Sequence, residues 1–312
     1  MEPLRHALDE YLSLRNKLGF EIGEIQATLT KFIAFLMARG SPHVTTELAV
    51  QWAREPQHVA PARHARRLGI VREFARYLSA TDARTEVPPP GLLPGRIRRP
   101  RPYIYSQDQI QALIRGAREL EPWEGLRLRP YTYATLFGLL AVTGMRVSEA
   151  VALSGKDVDL VEGVLTVRES KCRKTRLVPV HPTTQEHLCD YARRRQKCTG
   201  GRATNTFFVS DRNEPLGLVP VNYNFLLISR RIGLRGVDDL HGPRLHDLRH
   251  TFAVRTLAQW YQSDAAPERC VPLLATYLGH GKVEHTYWYL SATPELLGAV
   301  NSRCNPFSGG QP

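Results

Sequence analysis

Arg244-Leu245-His246-Asp247-Leu248-Arg249-His250 is the stretch on which the reading of this chain turns. His246 and Arg249 stand three residues apart, a spacing that on a helix brings both within reach of one spot. An arginine fixed beside a histidine suits a phosphodiester, because the guanidinium meets the phosphate oxygens and the imidazole moves a proton. Seven residues of a surface helix with solvated arginines have the same pattern, so the choice depends on what accompanies them. His246 and His250 also stand at the i, i+4 spacing of helical zinc ligands. Position 247 is Asp rather than the catalytic Glu of a zinc-protease helix, and no third ligand stands out among the remaining nine histidines. No metal is therefore expected, and His250 is taken as a supporting partner in the helix.

Three further segments carry compatible chemistry. In Thr143-Gly144-Met145-Arg146-Val147-Ser148-Glu149 an apolar helix ends at a glycine, a natural terminator, and leaves Arg146 between two helices. A Glu149 paired to Arg146 would hold the guanidinium in place for a phosphate. Lys171 lies in the basic turn Glu169-Ser170-Lys171-Cys172-Arg173-Lys174-Thr175-Arg176. A hairpin tip can carry such a lysine into a groove, with Arg168, Arg173, Lys174 and Arg176 as local competitors and a solvated basic turn as the plainer explanation. Leu278-Gly279-His280-Gly281 precedes Thr286-Tyr287-Trp288-Tyr289. The glycines let backbone pass close to a ligand, and His280 can donate to an oxyanion. A nearby tyrosine can act as nucleophile if cations stabilise its charge. Nothing intrinsic to the segment separates Tyr287 from Tyr289.

Composition narrows the class. A length of 312 residues suggests two domains. A net charge of +12 points to a polyanionic partner, most often nucleic acid. Arginines number 35 against 7 lysines, a bias that fits bidentate phosphate contact, though a GC-rich genome produces it too. The excess is spread along the chain, with 15 basic and 10 acidic residues in 1–100 and 27 and 20 in 101–312. Five cysteines form no CxxC pair, which suggests reduced thiols in cytoplasm. The start MEPLRHALDEYL has no apolar leader core, and the longest apolar run, around Ala134–Met145, is too short for a bilayer. A cytoplasmic protein without a membrane partner is expected.

Periodicity outlines the architecture. Leu4, Leu8, Tyr11, Leu12, Leu14 and Leu18 recur at helical spacing up to Gly19. Helices follow near Ile22–Arg39, from Thr45-Thr46-Glu47 to before Pro56, and over Ala62–Leu78. The last has an apolar stripe of Leu68, Val71, Ala75 and Leu78 and a basic face of Arg63, Arg66, Arg67 and Arg76, which is either a DNA-facing or a solvated surface. Residues 86–102, EVPPPGLLPGRIRRPRP, form a linker with six prolines, and its Arg96, Arg98, Arg99 and Arg101 could strap a phosphate backbone. Ser106 is a candidate N-cap for a helix through Arg118, and a buried helix spans about Tyr131–Val142. Strands are expected at Val164–Arg168 and Thr175–Val180, and a further one at Asn205–Ser210. The rest is mainly helical, with a loose tail at 301–312. The expected fold is mainly α, with a small antiparallel β-sheet in the second domain.

The ordered set Thr-Gly-Met-Arg146-Val-Ser-Glu149, Ser-Lys171-Cys-Arg-Lys-Thr-Arg-Leu-Val-Pro, His246-Asp-Leu-Arg249-His, Leu-Gly-His280 and Tyr289 resembles the tyrosine recombinase (phage integrase) family. The likeness is strong over about residues 103–300 and weaker over 1–80. It implies a helical, SAM-like core-binding domain (1–85), the basic linker (86–102), an α+β catalytic domain (103–300) and a C-terminal tail (301–312), together a two-domain DNA clamp. It implies a site-specific recombinase that acts on double-stranded DNA sites as a homotetramer, through a 3′-phosphotyrosyl bond and a Holliday junction. Arg146, Arg249 and His280 would hold the scissile phosphate, and Tyr289 would attack it. Lys171 would protonate the leaving 5′-oxygen, His246 would take the phenol proton, and Glu149 would orient the Arg146 region. Arg63, Arg66, Arg67, Arg96, Arg98, Arg99, Arg101, Arg173 and Lys174 are the candidate DNA contacts. No cofactor, ATP or metal is implied. The family nucleophile falls at Tyr289, with Tyr287 as runner-up. Ser291 stands where the commonest family form has a histidine two residues past the tyrosine. The C-terminal segment 294–312 would pass between subunits. A type IB topoisomerase and an inactive DNA-binding accessory protein are the alternatives.

Overall fold

The structure is a computed structural model that describes residues 2–20, 22–95, 102–122, 127–170, 174–201, 204–239, 242–262 and 267–291. The chain divides into two compact units, Met1–Pro100 and Arg101–Pro312.

Among the described residues the first unit has four helices: α1 (Glu2–Lys17), α2 (Gly23–Ala38), α3 (Thr46–Arg54) and α4 (Pro61–Leu78). Each has a local start or stop signal. The Thr45 side chain accepts a hydrogen bond from the Leu48 N–H at the head of α3, and Pro61 opens α4, where its missing donor costs nothing. Leu8, Phe32, Trp52, Val71 and Phe74 share one core, with Phe32 edge-on to Trp52 at 5.1 Å between ring centroids. Leu4, Leu8, Tyr11 and Leu12 of the first stripe are buried, whereas Leu14 and Leu18 are exposed. The first half of the expected linker is docked here. Leu93 is buried in this core, and Arg72 donates to the carbonyls of Pro88 (2.6 Å) and Pro89 (3.0 Å). Prolines lack N–H groups but keep acceptors, so an arginine can pin such a segment. Residues 96–101 lie outside the described residues.

The second unit begins with α5 (Gln107–Arg118), headed by a reciprocal capping box between Ser106 and Gln109. Next come α6 (Arg129–Thr143) and α7 (Val147–Ala152), then a three-stranded antiparallel sheet in the order β1 (Val158–Asp159), β2 (Val164–Ser170) and β3 (Lys174–Pro179). The register pairs Leu165 with Val178 and Val167 with Arg176. The remaining elements are α8 (Pro182–Thr199), α9 (Leu218–Arg231), α10 (Asp247–Gln262), α11 (Pro267–Leu278) and α12 (Glu284–Tyr287). A 3-10 turn over Trp288–Ser291 follows. Helix α6 is the central post. Its Leu136, Phe137, Leu139 and Leu140 are all buried, and Phe137 meets Phe225 of α9 edge-on. Each such fully buried side chain contributes roughly 1.5–3 kcal/mol of transfer free energy. A separate apolar cluster joins Ala253, Val254 and Leu257 of α10 to Val271, Leu274 and Leu278 of α11 and to Tyr289.

The expected strand at Asn205–Ser210 does not form. The segment makes only isolated bridges, Ser154 with Thr206 and Val209 with Pro215. Its apolar residues are consecutive, and Phe207, Phe208 and Val209 are all buried, so no alternating face exists. Pro215, opposite Val209, has no N–H to extend a ladder. The short strand β1 carries no separate sequence signal. The expected tail, 301–312, lies outside the described residues, as does the segment 294–312. Among the described residues no helix is long and apolar enough to cross a membrane.

Candidate active site

Helix α11 ends in a Schellman motif. The Gly279 N–H donates to the Thr276 carbonyl (3.0 Å) and the His280 N–H to the Ala275 carbonyl (2.9 Å). Gly279 takes φ of +69°, the left-handed conformation this closure requires. Beyond the motif, three successive carbonyls need other donors, and each receives one arginine. Arg176 Nε donates to Tyr277 O (2.8 Å), Arg249 Nη2 to Leu278 O (2.8 Å) and Arg146 Nη2 to Gly279 O (3.2 Å). The negative end of the helix dipole favours cations there. Gly144, at φ +61°, closes α6 with the simpler left-handed cap, a single bond from its N–H to the Leu140 carbonyl (3.0 Å), and its own carbonyl accepts Arg249 Nη1 at 2.8 Å.

Arg249 is almost completely buried. Burial first, and the Arg146 charge second, pull its pKa down to about 10, still well above neutral. Arg146, half-buried at the head of α7, donates from Nη1 to Glu149 Oε1 (2.7 Å) and from its backbone N–H to Glu149 Oε2 (2.9 Å). Arg176 donates to the same two oxygens at 3.0 and 2.7 Å. Burial alone would raise the Glu149 carboxyl. The Arg176 hydrogen bonds, the Arg146 N–H and the two guanidinium charges overcome that and hold it at about 2. The expected pairing of Glu149 with Arg146 is present, and Arg176 shares it. In the sequence, position 176 is one of four basic competitors of Lys171. Its signal lies in the period of β3, where Arg176 and the buried Val178 are two residues apart and so share a face, while Leu177 is exposed.

The head of α10 is built around Asp247. Its buried carboxylate accepts from the Arg244 backbone N–H at 2.8 Å and from Arg244 Nη2 at 2.9 Å. Tyr105 locks the same turn by donating its hydroxyl to the Arg244 carbonyl at 3.0 Å. His246 stands just ahead of α10 with its edge exposed. The protein crowded around it, and then the Arg249 charge, lower its pKa. The His250 ring lies edge-on to His246 at 4.8 Å, and its Nδ1 is 3.3 Å from the Tyr289 hydroxyl. Burial, followed by the neighbouring His246, brings the His250 pKa down to about 4, so this imidazole is neutral at pH 7.

Tyr289 is buried, packed between the rings of His250, His280 and Trp288, whereas Tyr287 is half exposed on α12. His280 is oriented by Nδ1, 2.6 Å from Thr286 Oγ1. The structure therefore brings together Arg146, Glu149, Arg249, His280, His250 and Tyr289. His246 is one ring removed from the phenol, and His250 is the phenol's immediate partner. Lys171 and Arg173 lie outside the described residues, as does the side chain of Lys174. Among the described residues no group of three or more His, Cys, Asp or Glu side chains is arranged to hold a metal ion.

In the first unit the basic face of α4 is partly spoken for. Arg66 pairs with Glu24 and Arg76 with Glu73, all four largely exposed. Arg67 stacks over the Trp52 ring at 3.7 Å and donates to the Trp52 carbonyl, and burial lowers its pKa. Arg63 is exposed. The expected strap residues Arg96, Arg98, Arg99 and Arg101 lie outside the described residues.

The sequence pattern described as the phage integrase family matches residues 105–295. A protein of Sinorhizobium fredii that carries the name integrase/recombinase y4rB is 48% identical over 299 residues, covering 95% of each chain. The tyrosine recombinase XerD of Ralstonia nicotianae is 29% identical, over 89% of this chain and 85% of that protein. Among solved structures, the Tn1549 transposon integrase in complex with transposon right end DNA covers 97% of this chain and 99% of its own, with a TM-score of 0.65 at 14% identity. A lambda integrase tetramer bound to a Holliday junction covers 92% and 76%, with a TM-score of 0.59 at 20% identity.

Proposed function

Because this chain belongs to the phage integrase family of tyrosine recombinases, we propose that it cuts and rejoins double-stranded DNA at specific sites. It does so through a 3′-phosphotyrosyl bond and a Holliday junction. The observation that carries the proposal is the anchoring of Arg146 and Arg249 on adjacent carbonyls, Gly279 and Leu278, with the Tyr289 phenol against His250 and His280.

The two guanidiniums bind the non-bridging oxygens of the scissile phosphate and stabilise the charge that builds on them in the pentacoordinate transition state. His280, turned by Thr286, adds a hydrogen bond from its other nitrogen. The Tyr289 oxygen forms a bond to phosphorus, the bond to the 5′-oxygen breaks, and Lys171 supplies the proton that oxygen needs. The phenol proton passes to an imidazole. His246 is the expected acceptor, and the 3.3 Å contact favours His250 as the first recipient. An unperturbed phenol has a pKa of about 10, so the surrounding arginine charge must help it ionise. The covalent bond keeps the phosphodiester energy, and rejoining needs no ATP. The first unit, with Arg63, Arg66, Arg67 and Arg76, and the basic segment of Arg96, Arg98, Arg99 and Arg101 bind the DNA backbone, as do Arg173 and Lys174. Four subunits act on paired sites in the cytoplasm.

The test is denaturing electrophoresis with a nicked suicide duplex carrying a genomic site recovered by mapping the bound DNA. Wild type gives a covalent protein–DNA band, Tyr289→Phe gives none while still binding, and Tyr287→Phe keeps the band. A band that survives Tyr289→Phe would refute the nucleophile. Relaxation of supercoiled DNA without joint products from paired sites would favour the topoisomerase.

A further inference from the structure

Glu149 is the acceptor for four N–H groups. Its Oε1 accepts from Arg146 Nη1 and Arg176 Nη1, and its Oε2 from the Arg146 backbone and Arg176 Nη2. A carboxylate has about four lone-pair positions, so this one is saturated. The Arg176 contact is a two-pronged fork, the stronger and more directional kind, whereas the Arg146 side chain holds Glu149 through one nitrogen only. Arg176 is also the more buried of the two, with 10% of its side chain exposed against 24% for Arg146. Its third donor, Nε, is fixed on the Tyr277 carbonyl. All three guanidinium nitrogens of Arg176 are thus engaged by protein acceptors, and Arg146 keeps the more open position.

The electrostatic consequence concerns Arg146. Glu149 with Arg146 alone is a neutral ion pair, in which the carboxylate competes directly with a phosphate for the guanidinium. Adding Arg176 leaves one net positive charge on the three groups and spends the carboxylate on the other arginine. Gly279 makes room for this arrangement, since a Cβ at that position would stand 2.8 Å from Arg176 Nη1. The turn that presents Gly279 O to Arg146 thus packs its other side on Arg176.

We propose that Arg176 is a positioning residue for DNA cleavage: by forking onto Glu149 and capping Tyr277 O, it keeps Arg146 aimed at the scissile phosphate and its charge uncancelled. The proposal rests on the recombinase reading above and assigns Arg176 a role distinct from the leaving-group protonation proposed for Lys171.

The experiment measures single-turnover cleavage of the suicide duplex by wild type, Arg176→Gln, Arg176→Lys and Arg146→Ala. One substrate has a normal scissile phosphate. The other carries a methylphosphonate there, with one charged oxygen replaced by a methyl group. Arg176→Gln is expected to bind the duplex within about threefold of wild type and to cleave the normal phosphate about 10²-fold more slowly, the scale of one lost transition-state donor. Arg176→Lys restores part of the rate, because a point charge cannot make the fork. On the methylphosphonate, which needs less positive charge, the deficits of Arg146→Ala and Arg176→Gln shrink together. If the Arg146→Ala deficit shrinks and that of Arg176→Gln does not, Arg176 does not act through Arg146 and the proposal is overturned. Wild-type cleavage by Arg176→Gln overturns it as well. Should Arg176→Gln fail to fold, as judged by thermal melting, Arg176→Lys carries the same two-substrate comparison. Failure of the recombinase reading is separately visible, because wild type would then give no Tyr289-dependent adduct on either substrate.

Discussion

The arginines on α4 and those at the end of α11 are the same side chain put to two uses. On α4, Arg66 and Arg76 reach across open surface to Glu24 and Glu73, where solvent screens both partners. Such pairs are worth about 0–1 kcal/mol and exchange readily for other anions. At α11, Arg146, Arg176 and Arg249 end on consecutive backbone carbonyls in a largely buried setting, and one carboxylate serves two of them. Those guanidiniums cannot move without leaving a carbonyl or a buried charge unpaired, which costs several kcal/mol. An exposed arginine contributes charge, and a buried, doubly anchored one contributes charge at a defined point. Binding a polyanion needs the first, and stabilising a transition state needs the second.

The contrast breaks if Arg249→Ala behaves like a surface substitution. Its cleavage rate in a single-turnover gel assay is expected to fall about 10²–10³-fold, with thermal stability falling too because the Gly144 and Leu278 carbonyls lose their donor. Gly279→Ala comes next. It strains a left-handed backbone and crowds Arg176, and should cost about 1–3 kcal/mol in chemical denaturation together with slower cleavage.

Acid sharpens the comparison. The His250 pKa is depressed in the fold, to about 4, so its neutral form contributes stability that is fully present above the unfolded value near 6.5. That contribution is lost as pH falls from about 6.5 toward 4. Glu149 is likewise depressed, to about 2, and its contribution is lost below about 4.5. Melting of the second unit should therefore weaken from pH 7 to pH 5 by on the order of 1–3 kcal/mol, and His250→Asn should flatten that slope. An unchanged slope in the variant would remove His250 from the account. The smallest effect is expected on α4. Arg66→Ala and Arg76→Ala should each shift stability by less than about 0.5 kcal/mol. Each should lower the salt dependence of DNA binding by about one phosphate contact at most, while cleavage of bound DNA is unchanged.

Much of this was legible in the chain itself. The Thr45 cap, the Ser106–Gln109 box and the apolar stripes of α2 and α4 are local patterns, and local hydrogen bonds and burial obey them. The pairing of β2 with β3 followed from alternation around a basic turn. Asn205–Ser210 was misread because β-rich composition without alternation does not specify a strand, and its three buried residues pack as a plug. Arg176 stays one of several candidates in the sequence, because a charge in a basic run has no assigned face until the register of the strand supplies one. The contact of His250 with Tyr289 spans 39 residues of sequence, so the helical spacing around His250 carries no sign of it.

Residue type, spacing and the glycine punctuation of Gly144 and Gly279 were enough to nominate the arginines, histidines and tyrosine of a phosphate-handling site. Which group holds which was decided only in three dimensions. The carbonyls that aim Arg146, Arg176 and Arg249 lie 133, 101 and 29 residues away along the chain. Helix and turn signals act over a few residues, whereas the end of α11 becomes a cap for three distant arginines only after the helices and the sheet have packed around it.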